Sequence, residues 1–268
     1  MISPLGVVRG AAGAAWRFAR ARLWLVLAGA AVYGLAAAVP ALLQAHLPRL
    51  QGPVAGQLAA WGVSLPMLIL ATPIWTALYR FVILKDSSRA YAVIDVRFWR
   101  VLLAGLVLSF IGLFGSLSLV VGTVLMTGQG GRRLVVFAII VASALVRVAA
   151  WWIALRLAIA PPLGAAGVRP RPLDAAYSYT QGAVWRILAT RVLIYLPMFL
   201  AASAIFLAAH LAPRLQAGTL VQTAEAILFT AITACSDLLD GAAMALVAVQ
   251  LVQARRSATL AEAAQAAA

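Results

Sequence analysis

The chain has 268 residues, 65% of them hydrophobic and only 10% charged, with a mean hydropathy of +1.00. A soluble globule carries about a quarter of its residues as charges, and a chain this short has too few polar side chains to cover so much apolar surface. The bilayer is the solvent that remains, and the 21 Lys and Arg against 7 Asp and Glu must then be read by position along the chain.

In chain order, residues 3–20 are predicted to lie on the membrane through Leu5, Val8 and Trp16, as amphipathic interfacial helices do. A first apolar run follows at about 23–45, long enough to cross a bilayer at roughly 20 residues per span. Ala36-Ala37-Ala38 offers an Ala-x-Ala cleavage pattern, but the run around it is longer than a signal h-region, so it reads as a retained anchor. The second run, 54–84, carries Pro66 and Pro73 as kink sites. Residues 88–100 place Tyr91, Ile94 and Phe98 at helical spacing ahead of the third run, 101–127. The fourth run, 134–160, is predicted to stop at Pro161-Pro162. Residues 172–186 repeat the amphipathic pattern through Leu173, Tyr177 and Val184, before the fifth run at 187–211 and the sixth at 220–252. Gly241 is a weaker bend site in the sixth. The two connecting amphipathic segments read either as helices on the membrane surface or as ordinary extensions of the spans that follow.

The expected fold class is all-α: a polytopic membrane protein with six transmembrane helices in three antiparallel hairpins and amphipathic interfacial helices. It forms one integral membrane domain over 1–268, with candidate repeats at 1–86, 87–168 and 169–256.

Charge fixes the expected orientation. Arg9, Arg17, Arg20 and Arg22 precede the first span, and Arg80, Lys85, Arg89, Arg97 and Arg100 fall between the second and third. Arg156, Arg169, Arg171 and Arg186 lie between the fourth and fifth, and Arg255 and Arg256 follow the sixth. The opposite loops hold Arg49, Arg132-Arg133 and Arg214. By the positive-inside rule both termini face the cytoplasm, in a bacterial inner membrane. The basic excess is expected to meet anionic lipid head groups. No nucleic-acid-binding module accompanies the charge. A protein partner or a homo-oligomer remains open.

Two markers recur. Ala45-His46-Leu47-Pro48-Arg49-Leu50-Gln51-Gly52 returns as Ala209-His210-Leu211-Ala212-Pro213-Arg214-Leu215-Gln216-Ala217-Gly218, with two alanine insertions. Trp16-Arg17, Trp99-Arg100 and Trp185-Arg186 each stand where an odd-numbered span leaves the cytoplasmic side, 83 and 86 residues apart. Tryptophan favours the head-group layer, and arginine extends its guanidinium towards phosphates. Convergence on that shared need competes with true duplication, and the histidine phrase favours duplication because it includes letters the interface does not demand.

Tyr79-Arg80-Phe81-Val82-Ile83-Leu84 resembles a His-Arg-aromatic-Val-Leu-Leu segment. The stretch from Leu173 to Arg186 resembles an Ala-Trp-x-x-Thr-Arg-Gly-Asn-x-Trp-Arg segment. Both occur in a group of uncharacterised six-span inner-membrane proteins of alphaproteobacteria, loosely similar to the membrane domain attached to some glycerophosphodiester phosphodiesterases. The resemblance implies the six-span fold and carries no activity with it. Tyr79 stands where that group has histidine, Gln181 where it has arginine and Ala183 where it has asparagine.

Ionisable groups inside spans are costly and mark candidate sites. Arg147 falls deep in the fourth span, Arg191 one to two turns into the fifth, and Asp237 and Asp240 near the middle of the sixth. At about 1.5 Å per residue, Arg147 matches Asp237 in depth and Arg191 matches Asp240, which predicts two ion pairs tying three spans together. The cluster reads as a polar clamp or, with Thr230, Thr233 and Ser236 near it, as a proton or substrate relay. The clamp is favoured because the cluster is asymmetric and no pair of broken helices accompanies it.

Catalytic and cofactor chemistry are not expected. His46 and His210, with Glu225 as the nearest third ligand, fall short of a stable zinc site. Cys235 is the single cysteine. The sequence holds no HExxH helix, Walker A loop or Gly-x-Ser-x-Gly elbow, and Gly128-Gln129-Gly130-Gly131-Arg132-Arg133 lacks the Lys-Ser/Thr of a phosphate loop. The expected function is a non-enzymatic membrane component that organises lipids or partner proteins. The alternative is a small transporter or channel using Arg147, Arg191, Asp237 and Asp240.

Overall fold

The computed structural model describes residues 3–46, 53–85, 95–128, 133–168, 171–211 and 219–267, and all its regular structure among them is helical. The helices are α1 (Pro4–Ala21), α2 (Leu23–His46), α3 (Pro53–Leu84), α4 (Val96–Gly128), α5 (Arg133–Leu157), α6 (Ala160–Ala166), α7 (Pro172–Tyr179), α8 (Val184–Leu211) and α9 (Thr219–Ala267). Among the described residues, five stretches are long and apolar enough to cross a membrane: Leu65–Leu84, Val96–Ser116, Val135–Ala166, Val184–Ala204 and Thr230–Gln265. A sixth arises if α1 and the following Leu23–Ala36, which meet at 103°, count as one bent span. The molecule is thus an all-helical, membrane-embedded protein with a long helix over each of the six predicted runs, the last continuing past 252 to Ala267.

Helix ends follow local chemistry. Ser3 caps α1, its hydroxyl accepting from the Gly6 amide at 3.2 Å, which satisfies a donor that the first turn leaves open. The chain turns at Arg22, whose φ of −138° leaves the helical region while its N–H still donates to the Phe18 carbonyl at 2.8 Å. One face of α1 is buried through Val7, Ala11, Ala14 and Phe18, the i, i+4, i+7, i+11 stripe of a helix lying along a packed surface. That surface is provided mainly by α8 and α9. Leu5 and Trp16 instead stay 51% and 64% exposed, while Val8, the third residue of the predicted apolar edge, packs against the core.

Two sequence expectations need correction. Pro161-Pro162 does not simply stop the fourth span: α5 ends earlier, at Leu157, and the prolines open α6. A helix tolerates proline in its first turn because those amides have no intrahelical acceptor. Within α6, Ala160 to Ala165 are all buried, and the helix packs against α3, α4, α7 and α9. Secondly, Val96–Arg100 forms the first turns of α4 instead of a separate surface helix; Tyr91 and Ile94 lie outside the described residues. The segment before the fifth span is different, since α7 is separated from α8 by a turn through Gly182 at φ 79°. Gly241 lies within α9, which runs from Thr219 to Ala267. Its role is close packing: a Cβ there would lie 2.6 Å from Trp75 Cζ3 and 3.1 Å from Leu78 Cδ2.

The main hydrophobic core gathers at one end of the bundle. It draws on α1, the first turns of α2, α4 and α8, the last turns of α3 and α5, α6, α7, and residues 242–251 of α9. Consecutive long helices pack on one another, α2 on α3, α4 on α5 and α8 on α9. The outer face of α5 is open: Val135, Phe137, Leu145, Val148 and Trp151 are all exposed, as apolar side chains bathed by lipid would be. The repeated histidine phrases fall largely outside the described residues, as do the side chains of His46, His210 and Glu225.

Candidate functional site

The polar centre of the bundle is built where α8 meets α9. Arg191 and Asp240 pair in the two-point geometry of guanidinium and carboxylate, Nε donating to Oδ1 at 3.1 Å and Nη2 to Oδ2 at 3.0 Å. Their side chains are only 27% and 12% exposed. One turn earlier on α9, Asp237 Oδ1 accepts the Tyr195 hydroxyl at 3.0 Å, and Tyr33 on α2 hydrogen-bonds the same carboxylate. Arg191 and Tyr195 are four apart on α8, and Asp237 and Asp240 three apart on α9, so each pair shares a helix face. The result is a ladder with two rungs, one ionic and one phenolic, and a third helix joined through Tyr33.

The predicted pair of Arg147 with Asp237 is not formed. Arg147 is exposed on α5, and α5 packs chiefly against α4 while α9 packs against α1, α3 and α8. Equal depth therefore did not mean adjacency. The Arg147 stem runs beside α4, where its Cγ is 4.0 Å from the position a Cβ would take at Gly115. Of the four predicted cluster residues, the fold brings together Arg191, Asp237 and Asp240. Ser236 bonds back to the Ile232 carbonyl at 2.8 Å within its own helix, and so serves α9 locally.

Three tyrosines and a tryptophan complete what the sequence reading missed. Besides Tyr33 and Tyr195, Tyr79 is buried and stacks on Trp75, with ring centroids 6.2 Å apart. Trp75 in turn occupies the notch left by Gly241. A cavity of about 140 Å³ lies against this group, lined by Trp75, Tyr79, Arg191, Asp237, Asp240 and Pro161 among others. A tyrosine one turn from a buried arginine was a readable signal; the Gly241–Trp75 contact was not, since it joins residues far apart in the chain.

The Trp-Arg markers occupy comparable environments. Trp16, Trp99 and Trp185 are 64%, 56% and 70% exposed, and the apolar residue two places after each tryptophan is buried: Phe18, Val101 and Ile187. Arg17 is exposed and lies on α1, while Arg100 and Arg186 are half-buried. Arg100 backs onto Gly164 of α6, whose missing Cβ would stand 3.2 Å from Arg100 Cβ. Arg186 Nη2 donates to Gln250 Oε1 of α9. Trp185 also meets Trp152 edge to face at 6.0 Å.

Arg156 ties α5 to α7. Its guanidinium lies 3.5 Å from the Tyr177 ring centroid and donates from Nη2 to the Tyr177 carbonyl at 2.9 Å. Thr180 donates to the Arg156 carbonyl at 3.1 Å. Among the described residues no group of three or more His, Cys, Asp or Glu could hold a metal.

No protein-family model, curated protein or solved structure matches the chain. The class it falls into is the one its own helices define, a polytopic all-helical membrane protein with a compact ion-pair and tyrosine cluster in its core.

Proposed function

We propose that this chain is a non-enzymatic, multi-pass inner-membrane protein that gathers anionic lipid, and through it partner proteins, at a basic cytoplasmic face. In this reading six spans form three antiparallel hairpins, both termini are cytoplasmic, and the Trp-Arg markers are three copies of one interfacial device. The observation that carries it is the exposure of Trp16, Trp99 and Trp185 beside arginines near the ends of helices that feed one packed core. Exposed tryptophan flanked by arginine is what a head-group layer selects. The Arg191–Asp240 pair and the Asp237 tyrosines then act as a clamp that keeps α2, α8 and α9 in register, consistent with every one of these groups being hydrogen-bonded to another. Buried polar groups satisfied in this way fix an arrangement without requiring a ligand.

The test is the lipid that stays with the purified chain. After gentle detergent extraction, acidic phospholipid should be enriched over its share of the source membrane, and replacing Arg9, Arg17 and Arg20 with Gln should reduce that enrichment. A co-purified lipid profile equal to the bulk membrane would reject the reading.

A second reading, a small transporter or channel, is favoured by the 140 Å³ cavity against Asp237 and Asp240. It predicts proton-coupled uptake that Asp237→Asn abolishes while the protein accumulates normally. Under the clamp reading the same substitution lowers folding or abundance.

A further inference from the structure

A large cleft lies away from the ion-pair cluster. It has a volume of about 600 Å³ and sits between the turn joining α7 to α8 and the C-terminal part of α9. That size is in the range of small-ligand sites. Its polar lining comes from Ser178, Gln181, Arg186, Arg255 and Thr259, and Glu262 is the one acid among the described residues that line it. Leu251, Ala254 and Ala258 give it an apolar side.

We propose that this cleft binds a phosphate group, held between Arg186 and Arg255. Each guanidinium group is held by a neighbour at the cleft. Arg186 Nη2 donates to Gln250 Oε1, and Arg255 Nη1 donates to Ser178 Oγ at 3.2 Å while the group sits 5.3 Å from the Tyr179 ring centroid. The neutral partners of Arg255 leave its positive charge available to an anion, and the planar five-donor fork of arginine suits phosphate oxygens. Ser178 and Thr259 supply hydroxyls and Gln181 an amide at the same cleft. Gly182 keeps the turn open: at φ 79° it adopts a conformation that side chains disfavour, and a Cβ there would meet nothing within 4 Å. Trp185, 70% exposed on the adjoining turn, sets the cleft at head-group depth in the topology proposed above. A phosphate reaches such a cleft either as the head of an anionic phospholipid or on a free phosphorylated solute. The site deepens the lipid-gathering reading and rests on it for its orientation toward the head groups.

Native mass spectrometry of the full-length chain, released from detergent, tests the site by titration with phosphatidylglycerol, phosphatidylcholine and glycerol 3-phosphate in turn. The proposal predicts one phosphatidylglycerol per chain that survives high salt, with no matching phosphatidylcholine species. Arg255→Gln, on the exposed part of α9, should weaken that species about tenfold, the cost of one charge-assisted contact. Arg186→Lys keeps the charge, loses the fork, and should weaken it as well. Phe137→Ala, on α5 and outside the cleft lining, should leave it unchanged. Saturable glycerol 3-phosphate binding that displaces the lipid and is lost in Arg255→Gln supports the same site with a free solute as its source. A one-to-one species unchanged by Arg255→Gln in chains that melt like the wild type overturns the proposal. So does a salt-sensitive preference for phosphatidylglycerol with no one-to-one species, an outcome that leaves the broader lipid reading standing.

Discussion

Arg191 of α8 and Asp240 of α9 meet in a two-point ion pair, with contacts of 3.1 and 3.0 Å, and Gly241 beside Asp240 receives the Trp75 ring from α3. Adjacent residues of one helix thus make a polar contact to one neighbour and a steric one to another. Removing a single partner from such a pair strands a buried charge, which costs about 3 kcal/mol. Asp240→Ala should therefore lower the melting temperature of the purified protein markedly. Arg191→Met combined with Asp240→Leu should recover much of the loss, because it strands nothing. A thermal melt followed by circular dichroism checks both.

Gly241→Ala should destabilise by about 1 to 3 kcal/mol, the usual cost of overpacking a filled core. The added methyl would meet Trp75 at 2.6 Å, a contact that an aromatic ring packed in a core cannot relieve by a small torsion. Pairing it with Trp75→Leu should restore part of the stability. Equal melting of Gly241→Ala and wild type would show that the notch is loose.

Tyr195→Phe removes one donor from Asp237 and leaves Tyr33 as the other. The single change should cost about 1 kcal/mol, and Tyr33→Phe with Tyr195→Phe more than the sum of the two, since the carboxylate then loses both donors. Denaturation of the two single variants and the double variant gives the coupling directly.

Trp16, Trp99 and Trp185 should all report head-group depth. In reconstituted vesicles their fluorescence should be quenched more by lipids brominated near the glycerol than by those brominated near the chain end. Single-tryptophan variants resolve the three. If one is quenched best from the chain end, its Trp-Arg marker is not interfacial.

Much of this fold was legible because hydropathy and charge act over whole segments. Runs of some 25 apolar residues could only become long helices, and each predicted run has its helix. What could not be read was lateral order. Arg147 and Asp237 share a depth in sequence terms, yet α6 and the last turns of α5 wind into the core in a way that keeps α5 against α4. The α6 turn arises where Pro161-Pro162 restarts a helix inside the protein, a consequence of packing that the proline pair alone does not announce. The Arg191–Asp240 pair was readable because depth and sign together left few partners. Tyr33 was not, because it joins Asp237 across the length of the chain. The three Trp-Arg markers recur in similar surroundings, and shared interfacial physics accounts for that as readily as common ancestry.

The composition of the lipid shell tests the central claim most directly. Spin-labelled phosphatidylglycerol and phosphatidylcholine, each added in trace amounts to vesicles containing the chain, report the fraction of lipid immobilised at the protein surface. The account predicts a larger immobilised fraction for phosphatidylglycerol, with the difference shrinking as salt screens the arginines. Equal fractions for the two lipids at low salt would contradict it.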